Sequence, residues 1–226
     1  MDQNPKLKGS NIIDCIPQTG KCPIGCRSCF YNNGFYRTLD KPLIPSLKEA
    51  EGKIVRVNSG HDSNINKKHV IETTAKFKDK FYNTSIENFD FPAPVVFTCN
   101  RNENEPPILS SKDLSNLMAV RVKTSAWNLH FVDNAVEYYT SREIPVILTY
   151  MRYGYMMDTA LVPYIYEYRM SIKNYYYIIN PSVRKFIENL YKNNKLVYHC
   201  PGDPKTKLCK YCRNCEILYG KFIIGK

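Results

Sequence analysis

The sequence has no apolar run long enough to cross a membrane. A spanning helix needs about 20 predominantly apolar residues in a row. The greasiest stretch, Pro145 to Tyr168, is cut by Arg152, Asp158 and Glu167. The start, Met1-Asp2-Gln3-Asn4-Pro5-Lys6, also lacks the hydrophobic segment of a secretory leader. Together these absences predict a cytoplasmic protein with no membrane partner. Acidic residues are in short supply. Asp and Glu number 21 against 32 Lys and Arg, for a formal charge of +11. A surface this basic attracts polyanions, so a nucleotide or a nucleic acid is an expected partner. The abundance of Lys, Asn, Ile and Tyr also arises from compositional bias alone. No internal repeat is present.

What the chain does have is size and sulfur. Its 226 residues suit one domain, or one domain with a small appendage, and 43% hydrophobic residues suffice to fill a core. Nine cysteines would suggest disulfides in a small exported chain. Here no export signal is seen, and seven of the nine fall in two tight groups. Metal or cluster ligation is the better reading.

Apolar runs with strand character recur along the chain: residues 11–17, 53–58, 94–100, 117–123, 144–150, 175–179 and 195–199. Helical spacing appears from Lys67 to about Tyr82 (Val70, Ile71, Thr74, Phe77, Phe81), from Asp133 to Arg142, and from Ser182 to about Asn193 behind an Asn180-Pro181 start. At most one helical turn is expected near Leu47 to Glu51. Strands separated by crossovers of about ten or more residues predict a parallel sheet with helices outside, and near-continuous apolar strands predict that both faces are covered. A full eight-fold barrel takes about 250 residues, so six or seven strands fit this length better.

The first strand feeds Cys22-Pro23-Ile24-Gly25-Cys26-Arg27-Ser28-Cys29-Phe30-Tyr31. Three thiolates are one too few for a closed zinc site, unless a distant thiol such as Cys15 or Cys99 completes it. They are enough to hold three irons of a cubane cluster and leave the fourth open. The run resembles the cluster motif of the radical S-adenosylmethionine (SAM) superfamily, with Ser28 where many members carry an aromatic residue. The resemblance implies an α/β fold, a parallel-stranded partial (βα)6-type TIM barrel. It implies a 4Fe–4S cluster on Cys22, Cys26 and Cys29 whose open iron chelates SAM. One electron, from a reductant such as flavodoxin or ferredoxin, then cleaves SAM to methionine and a 5′-deoxyadenosyl radical that abstracts hydrogen from a substrate.

In parallel α/β folds ligands gather at the carboxyl ends of the strands. Ser59-Gly60-His61-Asp62 ends the second strand, where the superfamily has a Gly-Gly-Glu-like turn facing the SAM ammonium; Ser59, Gly60 and Asp62 are the candidate contacts. Lys123 and Ser125, after the fourth strand, stand where the family often touches the SAM carboxylate or ribose. Each of these also reads as an ordinary polar strand end. His61 and His199 are candidate acid–base or ligand groups, and as lone histidines are more often structural.

The second group is Cys200, Cys209, Cys212 and Cys215. Its Cys-x2-Cys-x2-Cys run with a remote Cys-Pro is similar to half of a bacterial ferredoxin, which implies an auxiliary 4Fe–4S cluster. Cys-x2-Cys pairs are also ordinary zinc ligands. The expected organisation is therefore a barrel over residues 1–199 and a cysteine-rich appendage over 200–226. A non-enzymatic alternative uses both cysteine groups as zinc staples beneath a nucleic-acid-binding surface. A third reading is a mobile-element protein with a decayed site.

Overall fold

Short runs of β-branched and aromatic residues form the strands, as their sterics favour. The computed structural model describes residues 4–26, 29, 40–153, 165–170, 175–202, 205 and 208–225. In chain order the strands are β1 (Ile12–Cys15), β2 (Ile54–Val57), β3 (Lys80–Thr84), β4 (Val95–Thr98), β5 (Leu117–Thr124), β6 (Val146–Tyr150), β7 (Arg152–Tyr153), β8 (Tyr166–Met170), β9 (Tyr175–Ile179) and β10 (Val197–Cys200). The α-helices are α1 (Leu47–Ala50), α2 (Lys67–Thr74), α3 (Leu129–Thr140), α4 (Pro181–Leu190), α5 (Cys209–Cys212) and α6 (Asn214–Ile224), preceded by a 3-10 turn over Pro5–Leu7.

Seven strands pair in the order β1-β2-β3-β4-β5-β6-β10, every neighbour parallel, in a curled half-barrel. This is an α/β fold, as expected. Because side chains alternate along a strand, the sheet sorts its residues into two layers. Ile13, Cys15, Val55, Val57, Tyr82, Val120, Val122 and Leu148 face outward, where Val70, Val132, Ala135, Val136, Tyr139 and Ile187 of the helices cover them. Ile12, Phe81, Val96, Met118 and Ile147 face the concave side, where Leu7 and Leu218 and Tyr219 of α6 pack on them. The carboxyl-terminal segment therefore supplies part of the inner core.

Two elements differ from the sequence expectation. The helix read as running to Tyr82 ends at Thr74, and residues 80–84 are a strand. Phe77 and Phe81 continue the helical spacing by coincidence: Phe77 caps the outer core, while Phe81 sits on the inner face of β3. Strand β9 does not join the parallel sheet. It lies between β7 and β8 in a small antiparallel sheet. Helix α4 begins as read, with Asn180 Oδ1 accepting from Ser182 N at 3.0 Å and Pro181 in the first turn. No helix among the described residues is long and apolar enough to cross a membrane.

Burial of Cys15, which is 0% exposed, pushes its thiol up to about 12. A thiol harder to ionise when folded stabilises the fold fully below its unfolded value near 9, and that contribution is lost as the pH rises from there towards 12. The unfolding free energy is therefore expected to fall above pH 9, by about 1.4 kcal/mol per pH unit from this residue, and the thermal midpoint to fall with it. Cys15→Ala should flatten that part of the stability–pH curve. An unchanged slope would remove the assignment.

Candidate functional site

The carboxyl-terminal halves of the parallel strands turn polar on the concave side, and there a cavity of about 290 Å³ opens. Thiols from both cysteine groups border it: Cys26 and Cys29 from the first, and Cys200, Cys209, Cys212 and Cys215 from the second.

The first group is carried on a loop that follows β1 and is anchored at both ends. Ile16 pairs with Leu43, and Gln18 Nε2 donates to the carbonyls of Asp62 at 3.1 Å and Ile65 at 2.8 Å. Two successive turns then shape it, Gly25 N donating to Cys22 O at 3.4 Å and Cys29 N to Cys26 O at 3.1 Å. Gly25 has φ of +65°, a conformation that costs glycine little. The three thiols lie within electrostatic reach of one another. Burial pushes Cys22 up to about 11, with Asp62, Cys26 and Cys29 acting the same way. Burial also raises Cys26, while Lys123 and Arg101 oppose the rise. Arg27, Ser28, Phe30 and Tyr31 lie outside the described residues. Cys15 and Cys99 are both fully buried in the outer core, away from the cavity, so neither is placed to serve as a fourth ligand.

The β2–α2 turn forms one wall. Asn58, Ser59, His61 and Asp62 all line the cavity, and Gly60 is half-buried in the same turn. Asp62 is 3% exposed and its carboxylate is fully engaged. Its Oδ1 accepts from Asn64 N at 2.9 Å and Thr84 Oγ1 at 2.8 Å; its Oδ2 accepts from Ser85 N at 2.6 Å and Ser85 Oγ at 3.0 Å. The residue clamps this turn to the tip of β3. Its neighbours are different. Asn58 Oδ1, Ser59 Oγ and His61 Nδ1 are buried without a hydrogen-bond partner. Buried polar atoms are rarely left so, unless a ligand or water completes them. Burial lowers the pKa of His61, which favours the neutral ring.

Lys123 borders the cavity at the end of β5, its Nζ donating to Arg101 O and its backbone bracketed by Asn100 at 2.9 and 2.7 Å. Ser125 is buried and does not line the cavity. Its N and Oγ donate to Asn128 Oδ1 at 2.8 and 3.1 Å, shaping the start of α3. His199 lies off the cavity with its Nδ1 2.9 Å from the Tyr150 hydroxyl.

The second group closes the opposite side. Strand β10 sets Cys200 level with Thr149. Arg213, at φ of +51°, separates α5 from α6, and Asn214 Nδ2 ties the junction to His199 O at 2.8 Å. Gly202 N donates to Cys212 Sγ at 3.2 Å, and a Cβ on Gly202 would come within 3.0 Å of that sulfur. Burial raises Cys209 to about 11 and raises Cys212 and Cys215, and each of the three is pushed further by Cys200. Among the described residues no three His, Cys, Asp or Glu side chains gather to hold a single metal ion. All four cysteines of the second group nonetheless border the same cavity.

The sequence reading missed the cations on the cavity floor. Asp14 and Arg56 interrupt the apolar runs of β1 and β2, and Arg121 interrupts β5. A charge at an inward position of an otherwise apolar strand is the signal that points to them. No protein-family model matches the chain, and no curated protein or solved structure matches it either.

Proposed function

We propose that the protein is a radical SAM enzyme, with a 4Fe–4S cluster on Cys22, Cys26 and Cys29 and a second 4Fe–4S cluster or zinc on Cys200, Cys209, Cys212 and Cys215. One observation carries this reading: thiols of both groups border a single cavity at the strand tips, beside the partnerless Asn58 Oδ1, Ser59 Oγ and His61 Nδ1. When bound, the first cluster would supply the electron that cleaves SAM. The chain's own residues hold and orient. Ser59, His61 and Asn58 offer donors and acceptors for a small polar ligand. Lys123 offers a cation for a carboxylate. The curled sheet and α6 close off one side from water. The substrate in this reading is a nucleotide or nucleic-acid group, in keeping with the basic chain, and the electron donor is a flavodoxin or ferredoxin in the cytoplasm.

The experiment is anaerobic reconstitution with iron and sulfide. A brown protein absorbing at about 400 nm, yielding 5′-deoxyadenosine from SAM and dithionite, is the expected result. A colourless protein holding about two zinc ions and producing none would replace the proposal with the zinc-stapled binding protein.

A further inference from the structure

On four neighbouring strands, β3 to β6, the inner face of the sheet changes from apolar to polar. Phe81, Val96, Ala119 and Ile147 belong to the inner core, with Leu218 of α6 in the same cluster. Because side chains alternate, the next inward positions are Asn83, Thr98, Arg121 and Thr149, and all four line the cavity. They form a floor with a closed apolar layer beneath it. Thr98 is level with Arg121 on β4; on β6 Ile147 is level with it, and Thr149 is one inward position further.

Arg121 is the charged centre of this floor. Among the described residues its hydrogen bonding is limited to one weak contact, Nη1 donating to Asn83 Oδ1 at 3.3 Å, and Asn83 is neutral. Thr149 Oγ1 is buried without a partner. The other charges of the lining are engaged elsewhere. Asp14 holds Arg56 at 2.7 Å, and Glu216 holds Arg213 at 2.9 Å. Asp62 accepts from Asn64, Thr84 and Ser85. Glu216 and Asp62 are the two carboxylates among the described lining residues, and neither pairs with Arg121. Lys6, Lys123 and Arg152 add to the positive field of the cavity. A half-buried guanidinium is costly unless an anion answers it, and its planar donor fork matches a carboxylate or a phosphate. We infer that Arg121, with Thr149 beside it, is a subsite for the terminal oxyanion, phosphate or carboxylate, of a small-molecule substrate. An internal phosphodiester of a nucleic acid does not suit a floor closed from beneath, because its chain would have to enter and leave by the same opening. The inference deepens the proposed function and rests on its assignment of this cavity as the substrate site.

The test is calorimetric titration of the metal-free full chain, kept reduced at neutral pH. The probes are adenosine 5′-monophosphate, succinate, inorganic phosphate and a single-stranded oligonucleotide without terminal phosphates. The monophosphate or succinate is expected to bind in competition with inorganic phosphate, and whichever binds tells a phosphate source from a carboxylate one. Arg121→Met is expected to weaken that binding about 10-fold or more, and Thr149→Val about 3-fold. Arg121→Lys should fall between wild type and Arg121→Met, because a lysine keeps the charge without the fork. Lys48→Met, at an exposed position of α1, should leave binding unchanged. Arg121→Met breaks no ion pair; should it still fail to fold, Arg121→Lys and Thr149→Val carry the test. Oxyanion binding at wild-type affinity in the folded variants overturns the subsite, as does an equal loss in Lys48→Met or the absence of any oxyanion binding. An oligonucleotide bound as tightly as the monophosphate, with the same dependence on Arg121, overturns the small-molecule assignment. No readout needs a cluster or SAM. A chain that binds phosphate through Arg121 yet makes no 5′-deoxyadenosine would lose the radical reading and keep the subsite.

Discussion

Cys26→Ala is expected to abolish 5′-deoxyadenosine formation, by at least about 1,000-fold, and to remove about four irons per chain while leaving the second site loaded. The loss should be this complete because three thiolates are the minimum that keeps a cubane in place with one iron free. Cys26 also borders the cavity directly, beside Lys123. The informative control is Cys99→Ala. Cys99 is fully buried in the outer core, so its removal should change stability and leave iron content alone. Iron analysis and product chromatography on the two variants check this. Equal iron in Cys26→Ala and wild type would end the proposal, and loss of metal in Cys99→Ala would restore a closed four-thiolate zinc site.

Asp62→Ala is expected to destabilise the protein by about 3 kcal/mol or more, lowering its midpoint by about 10 °C. Four donors converge on this carboxylate, two of them part-buried backbone N–H groups that would lose their acceptor. Asp62→Asn keeps one acceptor oxygen and should cost about half as much. Calorimetry on the apoprotein measures this without any ligand. Should the midpoint hold while SAM affinity falls, Asp62 would be a ligand contact rather than the clamp that sets Asn58, Ser59 and His61 into the cavity wall.

The two variants mark the boundary between what the residues announce and what they conceal. The cysteine spacings are local chemistry, so both groups are legible from the chain. Asp62 is different. A polar residue at a strand end reads equally as ligand contact or turn former, and its hydrogen bonds to Thr84 and Ser85 at the end of β3 emerge only in three dimensions. Ser125 is a similar case, because Asn128 claims it from the start of α3. The strand at 80–84 was hidden by Phe77 and Phe81, whose spacing continues a helix although they serve opposite layers.

Local order and donor chemistry follow from sequence alone here: a parallel α/β sheet, a three-cysteine loop after its first strand, and a four-cysteine tail after its last. Both depend on spacings of a few residues, which the chain carries in full. That the two groups, separated by most of the chain, border one cavity was decided only in three dimensions. The curl of the sheet brings β1, β2, β5 and β10 to a common concave face and draws α6 into it. The same curl brings Arg56 and Arg121, isolated charges in apolar runs, to the lining of that cavity.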